Sequence, residues 1–219
     1  MKILNLYACL GGNRYKWGDE HDITAVEWDE ELARMYQERF PNDKVVVADA
    51  HQYLLDHYKE FDFIWSSPPC PTHSKVRFTQ KNKDFYTPKY PDMSLYQEII
   101  FLKQHFDGKY VIENVIPYYD PLIEAQKRGR HLYWANFLIP NNIDRQESKG
   151  LMCGGSLEER IKLCKLHKIK ESFLDTYKGK QSKIKIIRNL VDYEVGKAIL
   201  DTAMGIIKKQ DEQQISFLE

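Results

Sequence analysis

An α/β fold on a mostly parallel sheet is predicted by two observations in this 219-residue sequence. Short apolar runs alternate with segments of helical spacing along the first half of the chain, and such alternation demands right-handed crossovers between parallel strands. Successive runs also end in chemically loaded residues, and in open parallel sheets ligands bind outside the carboxyl ends of the strands. One such ending carries little weight. A whole series of them in order is hard to explain as packing.

The elements read as follows. "KILNLYA" is a short apolar run leading into "CLGG", a buried strand followed by a glycine turn at Gly11 and Gly12. "DITAVEW" is a second strand with Glu27 at its end. "DEELARMYQERF" places Leu32, Met35, Tyr36 and Phe40 at helical spacing, and Pro41 and Asn42 stop it. "KVVVADA" is a third strand ending in Asp49, followed by a short helix in "HQYLLDHY". "FDFIWSS" is a fourth strand that runs into Pro68, Pro69 and Cys70. Residues 71–91, with prolines and many charges, read as a loop. "DMSLYQEIIFLKQHF" is helical, with Asp92 or Ser94 as its cap. "KYVIENV" is a fifth strand ending in Glu113 and Asn114. From about 137 to 185 the alternation is lost, leaving "IPNN", "KGLMCGG" and one helix in "SLEERIKLCKLHKI". "EVGKAILDTAMGIIKK" is an amphipathic helix, and "QDEQQISFLE" reads as a tail.

Composition narrows the function classes. Hydrophobic residues make up 42% and charged residues 29%, a soluble globular balance with enough chain for one sizeable core. No apolar run approaches the roughly 20 residues of a membrane span, and no leader pattern is seen, so a cytoplasmic protein without a membrane partner is expected. The cysteines at 9, 70, 153 and 164 form no CxxC pair and are expected to be reduced. Cys153, Cys164 and His167 lack an obvious fourth ligand, so no metal is expected. A net charge of zero is mild evidence against a nucleic-acid partner. Local charge matters more. Lys75, Arg77, Lys81, Lys83 and Lys89 form one cluster; Lys178, Lys180, Lys183, Lys185 and Arg188 form another. They are either solvated faces or phosphate contacts on two sides of a cleft.

The strand ends suggest chemistry. A glycine turn lets a ligand approach backbone N–H groups, and an acidic residue ending the second strand commonly accepts from ribose hydroxyls. Trp28 could stack on a purine and Asp49 could accept from an adenine amino group. The turn lacks full GxGxxG spacing, which favours a nucleoside cofactor over a dinucleotide. Cys70 is either a buried small hydrophobe or a nucleophile. Its place at a strand end, stiffened by two prolines and followed by Lys75 and Arg77, favours the nucleophile. Glu113 is either a surface charge or a carboxyl group that holds a proton against a ring nitrogen. A cysteine that attacks a ring carbon and a carboxyl group beside the ring nitrogen together suit a pyrimidine.

Those residues carry a family resemblance. "NLYACLGG" resembles an Asp-Leu-Phe-Ala-Gly-x-Gly-Gly motif, "SSPPCP" a Pro-Cys motif, "IENV" a Glu-Asn-Val motif and "QKRGR" (126–130) a Gln-x-Arg-x-Arg motif. "VEWD", "ADA" and "IRNLVDYEVGKAIL" resemble further motifs in the same order. The chain resembles DNA cytosine-5 methyltransferases, and more closely their short phage-type members, such as would work in a bacterial host or beside a restriction system. The resemblance implies a Rossmann-like S-adenosylmethionine-dependent methyltransferase fold with a very small recognition region. It implies methyl transfer to C5 of a flipped-out cytosine in DNA through a covalent Cys70 adduct, with S-adenosylhomocysteine as product. Glu113, Arg128 and Arg130 join Cys70 as catalytic residues. Cofactor contacts carried over are Tyr7, Ala8, Leu10, Gly11, Gly12, Glu27, Trp28, Asp49, Ala50, Ser67, Pro69 and Asn189. Expected DNA contacts are Lys75, Arg77, Lys81, Lys83, Lys183 and Lys185, with 71–91 as a lid.

The implied organisation is a catalytic core at 1–136, a reduced target-recognition region at 137–185, a segment at 186–209 that completes the core, and a tail at 210–219. The chain departs from the pattern at Asn5, where Asp is usual, at Cys9, where Gly is usual, and at Pro71, where Gln is usual. Asp192 and Tyr193 take places that are often Pro. Gly129, Gly154 and Gly155 read as turn residues. Gln214–Leu218 resembles peptides that dock on sliding clamps; otherwise a monomer is expected. Three other readings compete: a pyrimidine-modifying enzyme acting on single strands, RNA or a nucleotide; a non-enzymatic binder of cofactor or DNA; and a Rossmann dehydrogenase, which leaves Cys70 and Glu113 unexplained.

Overall fold

The strand β1 (Lys2–Leu6) is buried on both faces, Ile3 packing into one apolar cluster and Leu4 and Leu6 into another. A strand with no wet face belongs at the centre of a parallel sheet, and the computed structural model, which describes residues 1–79, 82–83, 86–143 and 156–206, places it there. The other strands are β2 (Asp22–Glu27), β3 (Lys44–Val47), β4 (Phe63–Ser66), β5 (Lys109–Val115), β6 (Gln126–Arg128) and β7 (His131–Ala135). Their spatial order is β3-β2-β1-β4-β5-β7-β6. The pairings among β1 to β5 are all parallel, whereas β7 runs antiparallel to both β5 and β6.

Eight helices are described: α1 (Glu30–Arg39), α2 (Ala50–His57), α3 (Lys75–Thr79), α4 (Ser94–His105), α5 (Leu157–Leu166), α6 (Glu171–Asp175), α7 (Lys183–Arg188) and α8 (Tyr193–Ala203). On one sheet face Leu54 of α2 and Leu95, Tyr96, Ile99 and Leu102 of α4 cover Leu4, Leu6, Ile64 and Ile112. On the other, Val195, Ile199 and Leu200 of α8 join Trp17 over Ile3, Phe63, Trp65 and Val111. Period-two alternation along β1, β2, β4, β5 and β7 feeds both layers.

The expected first five strands and the helices between them form. The hairpin β6–β7 is additional. Three polar residues, "QKR", carry no strand signal. They become a strand by pairing with β7, across a turn in which Gly129 has φ +52°. Within 71–91, read as a loop, Lys75–Thr79 is helical. At α4 the capping position is Met93, with no side-chain cap, while the Asp92 carboxylate accepts from the Ser94 N–H at 3.0 Å.

Residues 156–190 hold three short helices rather than one, and they share a core with the rest of the chain. Leu163, Cys164, Ile169, Leu174, Ile186 and Ile187 pack with Leu10, Leu32 and Met35. Buried among these, Cys164 is a core residue. Cys153, Gly154, Gly155 and Gln214–Leu218 lie outside the described residues. No described helix is long and apolar enough to cross a membrane.

The helix α8 lies against the turn after β1 so closely that a Cβ on Gly196 would come 2.3 Å from the Asn13 carbonyl oxygen. Trp17 Nε1 donates to the Gly196 carbonyl at 3.0 Å in the same contact. Gly196→Ala is therefore expected to destabilise the protein by about 1–3 kcal/mol, read as a lower urea midpoint.

Candidate active site

The register of the sheet aligns its strand ends. Leu6 pairs with Val26 and with Ser66, and Ser66 with Ile112. One residue further on, Tyr7, Glu27, Ser67 and Glu113 stand at the same level. The chain order reverses at β1, with β2 and β3 on one side and β4 and β5 on the other, so a crevice opens between β1 and β4.

The turn after β1 is tightly wound. Tyr7, Cys9 and Gly11 all have left-handed φ, at +57°, +48° and +66°. For the two non-glycine residues this costs about 1–2 kcal/mol each. Gly11 has no alternative, since a Cβ there would meet the Phe40 ring at 2.4 Å. The turn is held by the Ala8 N–H donating to the Val26 carbonyl (3.0 Å) and the Cys9 N–H donating to the Glu27 carboxylate (2.9 Å). The other Glu27 oxygen accepts from the Asp29 N–H at 3.0 Å. Burial pushes the Glu27 carboxyl pKa up. Burial, with Glu27 nearby, also pushes the Cys9 thiol far above its ordinary range.

The loop after β4 carries Cys70. Asn114 Nδ2 donates to the Pro68 carbonyl at 3.0 Å, so the residue beside Glu113 ties the Pro-Cys loop to β5. The Cys70 carbonyl accepts from the N–H groups of His73 and Ser74, both at 3.0 Å, which turns the chain. Burial, then the Glu113 charge, raises the Cys70 thiol pKa, while Lys185 pulls it down. Among the described side chains the cation acting on Cys70 is thus Lys185 from α7; of Lys75 and Arg77, expected in that role, Lys75 stands exposed at the start of α3 and the Arg77 side chain is outside the described residues. Glu113 is 8% exposed, and His131 Nε2 lies 3.5 Å from its Oε1.

Residues 177–191 form the facing wall. Tyr177 Oη and Gln181 Nε2 both donate to Asp29 Oδ2, at 2.7 and 3.0 Å, tethering this wall to the start of α1. The enclosed cleft has a volume of about 340 Å³. Of the residues expected to bind cofactor, Tyr7, Ala8, Gly12, Glu27, Trp28, Ser67, Pro69 and Asn189 line it, and all four expected catalytic residues, Cys70, Glu113, Arg128 and Arg130, do too. Trp28 is 71% exposed there. The Arg128 guanidinium donates to the carbonyls of Ile139 and Pro140 and so also pins the chain after β7.

Other expected site residues lie elsewhere. Leu10 is in the core shared with α1, and Ala50 is buried under the sheet. Gly11 shapes the turn without lining the cleft. Asp49 caps α2, its carboxylate accepting from the N–H groups of His51 and Gln52. Among the described lysines only Lys185 reaches the cleft; Lys183 pairs with Asp175 at 3.0 Å, and Lys75 and Lys83 are exposed. Lys81 and the Arg77 side chain are outside the described residues. Sequence reasoning missed Asn5, Asn13, His131, His167 and Gln181 as lining residues. His131 directly follows "QKRGR", which was its only available signal.

A family model for C-5 cytosine-specific DNA methylases matches residues 1–118. The chain belongs to this family. The matched span covers more than half of the sequence and carries both Cys70 and Glu113. No curated protein matches the chain. Among solved structures, a mutant of DNMT2 from Spodoptera frugiperda is similar at 26% identity with a TM-score of 0.38, over 52% of this chain and 35% of that one. The methyltransferase EhMeth from Entamoeba histolytica is similar in fold at 12% identity with a TM-score of 0.56, over 95% of this chain and 99% of that one. The chain therefore spans about a third of the length of the first and nearly all of the second. Within the family, the raised Cys70 thiol pKa has a readable consequence. A raised pKa leaves less thiolate at a given pH, so Cys70 is expected to react with iodoacetamide at pH 8 more slowly than free cysteine. Glu113→Gln removes the charge that opposes ionisation and should speed that reaction severalfold, as read by peptide mass mapping.

Proposed function

We propose that this chain transfers a methyl group from S-adenosylmethionine to C5 of cytosine in DNA. The observation that carries the reading is the opening of Cys70 and Glu113 into one cleft, with Asn114 tying the loop of the first to the strand of the second. Family membership supports it.

The cofactor half of the cleft suits a nucleoside. Trp28 offers an exposed ring face beside Glu27. Each Glu27 oxygen already accepts one backbone N–H and retains capacity for ribose hydroxyls. Tyr7, Ala8, Gly12, Ser67, Pro69 and Asn189 would complete the enclosure. When bound, S-adenosylmethionine supplies an electrophilic methyl group. The chain's own residues do the rest. Cys70 thiolate adds to C6 of the ring, making C5 nucleophilic, while Glu113 holds a proton against N3 and contacts the amino group. Arg130 steadies the charge of the target nucleotide, with Arg128 fixing the wall behind it. Loss of the C5 proton to a base after methyl transfer then expels Cys70 and leaves 5-methylcytosine. A duplex cytosine must first leave the stack. Lys185 is placed to meet the flanking phosphate, and Lys75 and Lys83 on the exposed segment after Cys70 could follow the backbone.

Residues 137–185 are proposed as a reduced recognition region, giving a short or loosely defined target. The protein would work in the cytoplasm of a bacterial host, where DNA and S-adenosylmethionine are both present. Incubation with labelled S-adenosylmethionine and mixed duplex DNA is expected to give labelled 5-methylcytosine, and Cys70→Ala should remove it to below detection. Equal label with Cys70→Ala would overturn the reading. Single-stranded DNA and dCMP serve as arms that test the substrate. The proposed clamp contact of Gln214–Leu218 predicts that deleting 213–219 abolishes co-precipitation with a bacterial sliding clamp while methyl transfer to short duplexes persists.

A further inference from the structure

The Glu98 carboxylate is buried, 1% exposed, in the middle of α4, and it does not line the cleft. It has three partners. Tyr7 Oη donates to Oε1 at 2.6 Å, Ser66 Oγ donates to Oε2 at 2.6 Å, and His51 Nδ1 lies 3.0 Å from Oε1. These come from three different places: the turn after β1, the last residue of β4 and the first turn of α2. A carboxylate has room for several donors, and this one joins the two strands that flank the crevice.

Tyr7 is the residue that most needs holding. Its backbone is left-handed, a conformation a bulky side chain rarely adopts without support from its surroundings. Tyr7 lines the cleft, while its hydroxyl is bonded to Glu98, which does not. The hydrogen bond to Glu98 keeps the hydroxyl protonated, its pKa pushed far above the ordinary range by burial and by Glu98. His51 gives the buried carboxylate a partial counter-charge: its own pKa is raised by that hydrogen bond, with Asp49 and Asp92 also facing it. The motif that "NLYACLGG" resembles carries Phe where Tyr7 stands. The hydroxyl lock is thus a feature of this chain beyond the motif.

We propose that Glu98 is a positioning residue for the cofactor, acting through Tyr7 and Ser66 to fix the turn after β1 against the end of β4. The inference rests on the reading of the cleft as an S-adenosylmethionine site. Tyr7→Phe keeps the ring and removes only the hydroxyl; Glu98→Gln keeps shape and removes charge; Ser66→Ala removes the other strand-end contact.

The test is calorimetric titration of each variant with S-adenosylhomocysteine, beside methyl-transfer kinetics and thermal melting. Tyr7→Phe and Ser66→Ala are expected to weaken binding about five- to ten-fold and to raise KM for S-adenosylmethionine by a like factor. The kcat at saturating cofactor should change less than about two-fold, with folding retained. Combining Tyr7→Phe with Glu98→Gln should weaken binding no more than Glu98→Gln alone, because both break one network. Unchanged affinity in Tyr7→Phe and Ser66→Ala, with the unaltered protein binding normally, would overturn this inference alone. So would a fall in kcat equal to the loss of affinity, which marks general damage. Failure of the unaltered protein to bind S-adenosylhomocysteine would overturn the cofactor reading and this inference together.

Discussion

Parallel pairing of β1 with both β2 and β4, in one shared register, is the constraint on which the site depends. Because Leu6, Val26, Ser66 and Ile112 lie side by side, the residues that follow them emerge together at one edge of the sheet. A slip of one residue at any pairing would turn the next side chain to the opposite face. Burial of β1, β4 and β5 on both faces prevents such a slip, since each strand feeds alternate side chains into two apolar layers. Packing far from the cleft therefore sets the distance between Cys70 and Glu113.

The electrostatics of the site follow from that convergence. Bringing thiols, carboxylates and the cations Arg128, Arg130, Lys185 and Arg188 into one partly buried cleft sets desolvation against charge pairing. At Cys70, burial and Glu113 prevail over Lys185, so the thiol is held largely protonated.

The wall facing the sheet is the most individual part of the molecule. Residues 156–190 pack on Leu10, Leu32 and Met35 and are tethered through Asp29, the residue that also caps α1. The bidentate pair of Arg188 with buried Glu159 braces the same wall from behind, at 2.7 Å for each bond. Lys185 and Asn189 reach the cleft because α7 is anchored in this way. A segment too short for a large independent core shares the core of Leu10, Leu32 and Met35.

The sequence by itself determined the five parallel strands, the helices between them, and the set of Cys70, Glu113, Arg128 and Arg130 that the fold brings to one cleft. Those features are local: apolar periodicity marks a strand wherever it packs, and a Pro-Cys turn or an acidic strand end is written in consecutive residues. Tertiary structure alone decided the rest. It made "QKR" a strand, because an edge strand is defined by its partner rather than by its own pattern. It assigned Asp49 to capping α2 and Leu10 to the core, since the same residue type serves a ligand or a helix end according to what lies opposite. It chose Lys185 over Lys75 as the cation near Cys70, and it joined Tyr7, His51, Ser66 and Glu98 on one carboxylate. Contacts between residues as far apart along the chain as Trp17 and Gly196, or Asp29 and Gln181, leave no periodic trace in the sequence; they exist only once the sheet has fixed where each element begins and ends.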